Sequence, residues 1–225
     1  RVTVTGSRLE LTLDIAGRAR ATSLPMLGTY NAHNAAAAVA AAVEFGIGPD
    51  AAMDRLASFP GVPGRMQVVQ HEPFLVVVDF AHTAPALGKA LREVAARGRR
   101  LIVVIGAAGE RDSGKRAPLG AVSGSLADLA VFTEEDSRSE PLDDILAVMA
   151  AGAQASGGVE GRDYLLVPDR RQAIRVAIEH AEPGDVVLLA GKGHEQTLER
   201  SSETLPWDEV AEVERALHEL TRRPR

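Results

Sequence analysis

The pattern of hydrophobic and polar positions changes once along the chain, near residue 63. Residues 1–23 alternate between polar and apolar side chains, which predicts short antiparallel strands. The stretches "NAHNAAAAVAAAVEFGI" and "PDAAMDRLASF" then predict a long and a short helix. The following "PGVPGR" is rich in proline and glycine. It predicts a boundary between two domains, residues 1–62 and 63–225.

After this boundary, short apolar runs alternate with helical stretches. The runs are "FLVVVDF", "RLIVVIG", "DLAVFTEED", "DYLLVPD" and "DVVLLAGKGHE". Such continuous runs are typical of strands that are buried on both faces. One of the helices opens with a capping pair, Asp169 and Gln172. The alternation predicts an α/β fold with a mostly parallel sheet, whose ligands bind outside the carboxyl ends of the strands.

Polar residues cluster directly after four of these strands, at 79–83, 106–116, 133–138 and 191–195. In a parallel sheet, we expect these segments to converge on one edge, where charges of both signs suit a phosphorylated or zwitterionic ligand. Each segment also has a purely structural interpretation. Asp79 and His82 can be a helix cap or surface pair, Lys192 can be solvated in a tight turn, and Ser139 can cap the helix after a solvated loop.

The segment "GAAGERDSGKR" resembles the phosphate-binding loop G-x-x-x-x-G-K-[ST]. However, Arg116 stands where a small hydroxyl is needed to bind Mg²⁺, and the intervening "ERDS" holds three charges. We therefore interpret it as a different loop. The helix after it can still bind an anion at its N-terminus, and Arg111 can hold a carboxylate or phosphate.

Composition narrows the class of protein. A formal net charge of −6 over 225 residues disfavours binding to nucleic acid. The absence of cysteine excludes disulfides and thiolate metal sites. No apolar run approaches the roughly 20 residues that span a bilayer. We expect a cytoplasmic globular protein that binds neither nucleic acid nor membranes.

In this order and spacing, six segments of the chain resemble the Mur ligases, the ATP-dependent amide-forming enzymes of peptidoglycan precursor synthesis. The likeness is strongest to the branch that adds a diamino acid to UDP-N-acetylmuramoyl-L-alanyl-D-glutamate. The segments are "GTYNAHN", "GRM", "VVDFAHT", "GAAGERDSGKR", "TEEDSRSE" and "AGKGHE". The resemblance implies the end of a central ATPase domain at 1–62, made of short strands and helices. A Rossmann-like C-terminal domain would follow at 63–225.

The resemblance also implies roles for individual residues. Asn34 matches a position that contacts adenine, and Arg65 and Asp79 match positions that hold the ribose and phosphates of ATP. The positions that grip the incoming diamino acid are matched by Arg111, Asp136, Arg138, Gly191 and Glu195. No catalytic residue or metal ligand of the family has a match here, because its phosphate loop, Mg²⁺ ligands and modified lysine lie in other sequence. The implied cofactors are ATP and Mg²⁺, and we expect this chain alone to be inactive.

Two questions stay open at this point. Arg138 favours diaminopimelate, which has a second carboxylate, whereas Asp136 replaces the family's Asn and favours a plain amine such as lysine or ornithine; we expect diaminopimelate. The alternatives to this branch are a ligase of the folylpolyglutamate or cyanophycin synthetase type, and a non-catalytic module that binds nucleotide or an amino acid.

Overall fold

The first part of the chain is a small antiparallel sheet covered by two helices. The computed structural model describes residues 2–5, 8–15, 17–201 and 203–222. The elements of this part are β1 (Val2–Thr5), β2 (Arg8–Ile15), β3 (Arg18–Leu24), α1 (Asn31–Glu44) and α2 (Pro49–Ala57). The strands pair antiparallel in the order β1-β2-β3, as the alternating pattern predicts. Leu9 and Leu11 of β2 are buried in a small core with Ala32 and Ala35 of α1.

The second part is built on a six-stranded sheet. Its strands are β4 (Gln67–Gln70), β5 (Leu75–Val78), β6 (Leu101–Ile105), β7 (Leu129–Phe132), β8 (Tyr164–Leu166) and β9 (Val186–Leu189). They lie in the order β4-β5-β9-β6-β7-β8, and every neighbouring pair is parallel except β4 and β5. The five strands predicted from apolar runs are confirmed. The edge strand β4 was not predicted, because it begins and ends with glutamine and is only half buried.

Helices cover both faces of this sheet, which explains the continuous apolar runs. The helices are α3 (Ala84–Ala95), α4 (Arg116–Leu126), α5 (Leu142–Ala155), α6 (Arg170–His180) and α7 (Glu209–Arg222). Successive residues of β6 alternate between the two cores: Val103 packs with the residues of α3, α4 and α5, and Val104 packs with those of α6 and α7. Each fully buried aliphatic side chain of this kind stabilises the fold by about 1.5–3 kcal/mol.

The helix starts test two predictions about caps. The side chain of Asp169 accepts a hydrogen bond from the backbone N of Gln172 at 2.9 Å, so the predicted cap of α6 is confirmed. The prediction that Ser139 caps the next helix is wrong. That helix begins at Leu142 after Pro141, and the Ser139 hydroxyl donates to the carboxylate of Glu110 instead.

A hairpin that the sequence pattern did not reveal lies between β9 and α7. It consists of β10 (Thr197–Arg200) and β11 (Glu203–Pro206), which pair antiparallel. Its first strand contacts the loop after β7 through a bridge between Arg200 and Arg138. The hairpin leads into Trp207, which is buried in the core between the sheet and the helices α6 and α7.

The two parts of the chain contact each other closely. Leu27, from the connection before α1, is buried in the core of the large sheet. The backbone N and the hydroxyl of Thr29 both donate to one carboxylate oxygen of Glu93 on α3, each at 3.0 Å. The division at residue 63 therefore stays a prediction about folding units. Within the described ranges, no helix has the length and apolar character needed to cross a membrane.

Candidate functional site

The loops that follow four strands meet at one edge of the large sheet, as predicted. The loop after β6 bonds to the loop after β7 through Gly109 N and Asp136 O, at 2.7 Å. The loop after β9 contacts the loop after β7 through an ion pair between Lys192 and Asp136. A side chain at Gly193, also after β9, would collide with Phe80 after β5. These contacts place the four polar segments side by side.

The three residues expected on the nucleotide side line one cavity of about 390 Å³. Asn34 comes from α1, Arg65 from the connection between the two parts, and Asp79 from the end of β5. Tyr30 and Phe80, which sequence reasoning missed, line the same cavity. Apolar and aromatic walls with a few polar groups are typical of small-molecule sites, so the cavity is a candidate small-molecule site.

Asp79 orders the backbone of this cavity. One of its carboxylate oxygens accepts from Met66 N and the other from Ala81 N, both at 2.9 Å. Burial raises the pKa of the Asp79 carboxyl above its ordinary value, and these hydrogen bonds partly oppose that shift. The guanidinium of Arg65 lies over the ring of Phe80, 4.5 Å from its centroid. Asp79 therefore fixes the loops, whereas Arg65 is held by an aromatic face beside the cavity.

The aromatic ring of Phe80 also joins the nucleotide side to the loop after β9. Its centroid lies 4.9 Å from that of His194 and 4.6 Å from that of His82. Next to this cluster, Gly64 has a φ of 64°, and a Cβ atom there would come within 2.2 Å of the backbone carbon of Gly193. The connection between the two parts therefore packs directly on the loop after β9.

On the other side of that loop, five charged residues form a connected ion network. Lys192 Nζ lies 2.9 Å from Asp136 Oδ1 and 2.8 Å from Glu195 Oε2. Arg138 lies 3.8 Å from Asp136 through Nη2 and 2.8 Å from Glu199 through Nε. We call these five residues the amine-site network, after the role that the family resemblance implies. It contains three of the residues expected to grip the amino acid: Asp136, Arg138 and Glu195.

The interpretation of Lys192 as a solvated residue in a tight turn is wrong, because its side chain is fully buried. A buried ammonium must be paired, and its two carboxylate partners supply that pairing. The loop 133–137 is likewise buried rather than solvated. The burial of Lys192 and that of the loop 133–137 depend on contacts between distant segments of the chain, which local sequence patterns do not reveal.

The other two expected contacts behave differently. Gly191 has a φ of 101°, and a Cβ there would lie 3.0 Å from Glu135 Oε2. Arg111 is exposed on the loop after β6. Within the described part of the chain, Arg111 makes no hydrogen bond or ion pair with the network. Its guanidinium is therefore available at the rim of the site.

Glu135 is a buried carboxyl at the centre of the converging loops. Its Oε2 atom has no hydrogen-bond partner within the described residues. Burial raises its pKa, although the cations Lys115, Arg170 and Lys192 oppose that shift. Glu135 is the middle residue of the acidic run 134–136. The sequence of this run does not indicate that one of its carboxyls is isolated from solvent.

The segment that resembles a phosphate loop has other reasons for its composition. A Cβ atom at Gly109 would lie 1.9 Å from the backbone oxygen of Ser137. Arg116 is buried and donates to Ala108 O and to the carboxylate of Glu140. Glycine is thus required by the close approach of the neighbouring loop, and Arg116 ties the two loops together.

The fold and this site define an α/β domain in which the cavity lined by Asn34, Arg65 and Asp79 and the network of five charged residues share one edge of a mostly parallel sheet. A family model described as "Mur ligase, glutamate ligase domain" matches residues 64–193. The chain belongs to the Mur ligase family.

Several known proteins are similar to this chain. The UDP-N-acetylmuramyl-tripeptide synthetase of Deinococcus radiodurans is 53% identical over 201 residues, which cover 87% of this chain and 40% of that protein. A UDP-N-acetylmuramoyl-L-alanyl-D-glutamate–2,6-diaminopimelate ligase of Streptomyces coelicolor is 41% identical, covering 86% of this chain and 38% of that protein. The chain thus spans about 40% of the length of these curated relatives.

Solved structures agree with the fold. A UDP-N-acetylmuramoyl-L-alanyl-D-glutamate–2,6-diaminopimelate ligase superposes with a TM-score of 0.68 at 31% identity, over 99% of this chain and 45% of that one. The folylpolyglutamate synthase of Mycobacterium tuberculosis superposes with a TM-score of 0.64 at 20% identity, over 100% of this chain and 47% of that one. The second likeness shows the fold alone.

Proposed function

We propose that this chain is the amine-delivering part of an ATP-dependent ligase that adds a diamino acid to UDP-N-acetylmuramoyl-L-alanyl-D-glutamate. The observation that carries the proposal is the direct contact between the nucleotide-side cavity and the loop that bears the amine-site network. Phe80 and His194 form that contact. The names of the two curated relatives support the same substrate class.

In this proposal, ATP phosphorylates the substrate carboxylate and leaves as ADP. The free amine of the diamino acid then attacks the acyl phosphate, and the amide forms as phosphate and a proton leave. Asn34 and Arg65 hold the nucleotide, while Asp79 fixes the backbone next to Arg65 through Met66 and the loop after β5 through Ala81. Arg111 is available for the α-carboxylate of the amino acid, and Glu195 for an ammonium group. Holding the two reactants at one sheet edge makes the attack effectively intramolecular and excludes water, which would hydrolyse the acyl phosphate.

The residues fit ATP better than they fit its metal. The nucleotide-side cavity offers aromatic walls, an amide at Asn34 and a guanidinium at Arg65. Among the described residues, no group of three or more His, Asp or Glu side chains is placed to hold a metal ion. The Mg²⁺ that the family resemblance implies is therefore not assigned to any residue described here.

The test measures amide formation from UDP-N-acetylmuramoyl-L-alanyl-D-glutamate, ATP and a diamino acid, and the reaction is monitored by the release of phosphate. The full reading frame that contains this chain should form the product, and the chain alone should not. Replacing Asn34 with Ala should raise the KM for ATP by about tenfold, the loss of one to two hydrogen bonds. The neighbouring exposed His33→Ala is the matched control and should leave that KM unchanged.

Other outcomes would support other functions. If the full protein uses a folate or a glutamate chain as acceptor instead, it is a ligase of the folylpolyglutamate type. If it binds nucleotide but forms no amide with any acceptor, the non-catalytic module is correct. Amide formation by the chain alone would contradict the proposal that this chain is only the amine-delivering part of the ligase.

A further inference from the structure

The charge and geometry of the amine-site network bear on which diamino acid is used. The network comprises Asp136, Arg138, Lys192, Glu195 and Glu199. Its ion pairs connect all five residues in one chain, from Glu195 through Lys192, Asp136 and Arg138 to Glu199. Three carboxylates against two cations leave the network with a formal net charge of −1.

The guanidinium of Arg138 is already occupied within the protein. Its Nε donates to Glu199 Oε2 at 2.8 Å, and its Nη1 donates to Gly109 O at 2.7 Å. Its Nη2 lies 3.8 Å from Asp136 Oδ2. Two of the three nitrogens therefore donate to protein oxygens, and at Nη2 the Asp136 carboxylate lies within ion-pair but not hydrogen-bond distance. A ligand carboxylate at this arginine would have to share its charge with Glu199 and Asp136.

The backbone holds Glu199 in this position. Arg138 N donates to Glu199 O at 3.2 Å, and Glu199 N donates to Asp136 Oδ1 at 3.0 Å. The peptide N of Ser201 donates to Arg138 O at 2.6 Å. The hairpin β10–β11 is thus hydrogen-bonded along the loop 136–138, so that the Glu199–Arg138 pair is a built feature of the fold.

The side chains of the two kinds of amino acid change the charge of the network differently. An ammonium brings the local charge from −1 to zero. Diaminopimelate brings an ammonium and a second carboxylate together, so the local charge stays at −1, and that carboxylate must compete with Glu199 and Asp136 for Arg138. The side chains of Arg138 and Asp136 are mostly buried, at 19% and 10% exposed, so solvent screens this difference only in part.

We propose that Glu199 is a specificity-determining residue, and that the site accepts an amino acid whose side chain ends in a lone ammonium group in preference to diaminopimelate. This inference rests on the proposed function. It favours the alternative that the sequence left open, in which the substrate resembles lysine or ornithine. Glu199 acts by neutralising Arg138, the residue that would otherwise bind the second carboxylate.

The experiment uses the full reading frame that contains this chain and compares kcat/KM for amide formation with lysine, ornithine and meso-diaminopimelate. We expect the unmodified protein to prefer lysine or ornithine by at least about tenfold, as the interaction of one partly screened charge implies. Glu199→Gln should shift the ratio toward diaminopimelate by about tenfold, through KM for the amino acid, and should leave the KM for ATP unchanged. Glu214→Gln, at an exposed position of α7, is the control and should not change the ratio.

The outcomes separate this inference from the proposed function. A preference of the unmodified protein for diaminopimelate overturns the inference, whether or not the variant folds, and leaves the proposed function standing. An unchanged ratio in a Glu199→Gln protein that keeps its KM for ATP also overturns it. Failure to form an amide with any amino acid overturns the proposed function, and the inference with it.

Discussion

The buried ion pair between α6 and α7 gives the sharpest prediction about stability. Arg170 and Glu209 are both fully buried. Glu209 accepts from Arg170 Nη2 at 2.6 Å and from Arg170 Nε at 3.0 Å. Its Oε2 also accepts from the indole N–H of Trp207 at 2.7 Å. Every donor around this carboxylate needs an acceptor, and no solvent is available to replace it.

Replacing Glu209 with Gln should lower the free energy of unfolding by about 3–5 kcal/mol, because it leaves a buried guanidinium without its counter-charge. The amide nitrogen of the new side chain would also face a donor, either the guanidinium or the indole. This loss is a large fraction of the roughly 5–15 kcal/mol that stabilises a typical domain. With a urea slope of roughly 3 kcal/mol/M, the midpoint should fall by about 1–1.7 M.

The assay is urea unfolding followed by fluorescence, since Trp207 is the chain's single tryptophan and contacts Glu209 directly. Glu219→Gln is the matched control. Its carboxylate pairs with Arg175 between the same two helices, but the atoms are 3.8 Å apart and the side chains are 45% and 47% exposed. That variant should lose less than about 1 kcal/mol. Equal losses in the two variants would refute the argument that burial makes the Arg170–Glu209 pair costly to break.

Two further predictions concern the loops at the site. Gly64→Ala should destabilise the protein clearly more than Gly161→Ala in the same unfolding assay. Both residues have positive φ, 64° and 81°, but of the two only Gly64 is crowded, by Gly193. Equal losses of stability would mean that the contact with Gly193 is unimportant. Glu135→Gln should gain stability relative to the unmodified protein as pH rises above the ordinary carboxyl value of 4.5. Burial raises the folded pKa of Glu135, so its favourable contribution is present at low pH and is lost as pH rises through that pKa. A difference in urea midpoint that does not change with pH would contradict this cause.

The strands and their convergence were predictable because they depend on local patterns. A run such as "LIVVI" in β6 identifies a strand buried on both faces. The direction of parallel strands then brings their following loops together. The capping of α6 by Asp169 was equally visible, since the cap and its partner are three residues apart.

The features that were missed depend on contacts between distant segments. Lys192 is buried because Asp136, 56 residues away, pairs with it. The hairpin β10–β11 is half exposed and polar, so it lacked an apolar run, although it supplies Glu199. A motif such as Gly-Lys-Gly-His therefore predicts a tight turn, but which carboxylates meet its lysine follows only from the tertiary fold.

One acidic side chain makes the fold and the site interdependent. Glu134 accepts from the backbone N of Arg170 at 3.1 Å and from Arg200 Nε at 2.7 Å. It thus connects the buried pair that stabilises α6 and α7 to the hairpin that positions Glu199. In the proposed site, a change in the loop 133–138 would therefore alter amino-acid selection by moving the hairpin, without touching the ligand. Trp207 contacts the buried pair, so its fluorescence reports unfolding at that pair. If Arg138→Ala changes amino-acid binding but leaves the urea midpoint unchanged, the effect on binding is direct and does not come from loss of the connection through Glu134.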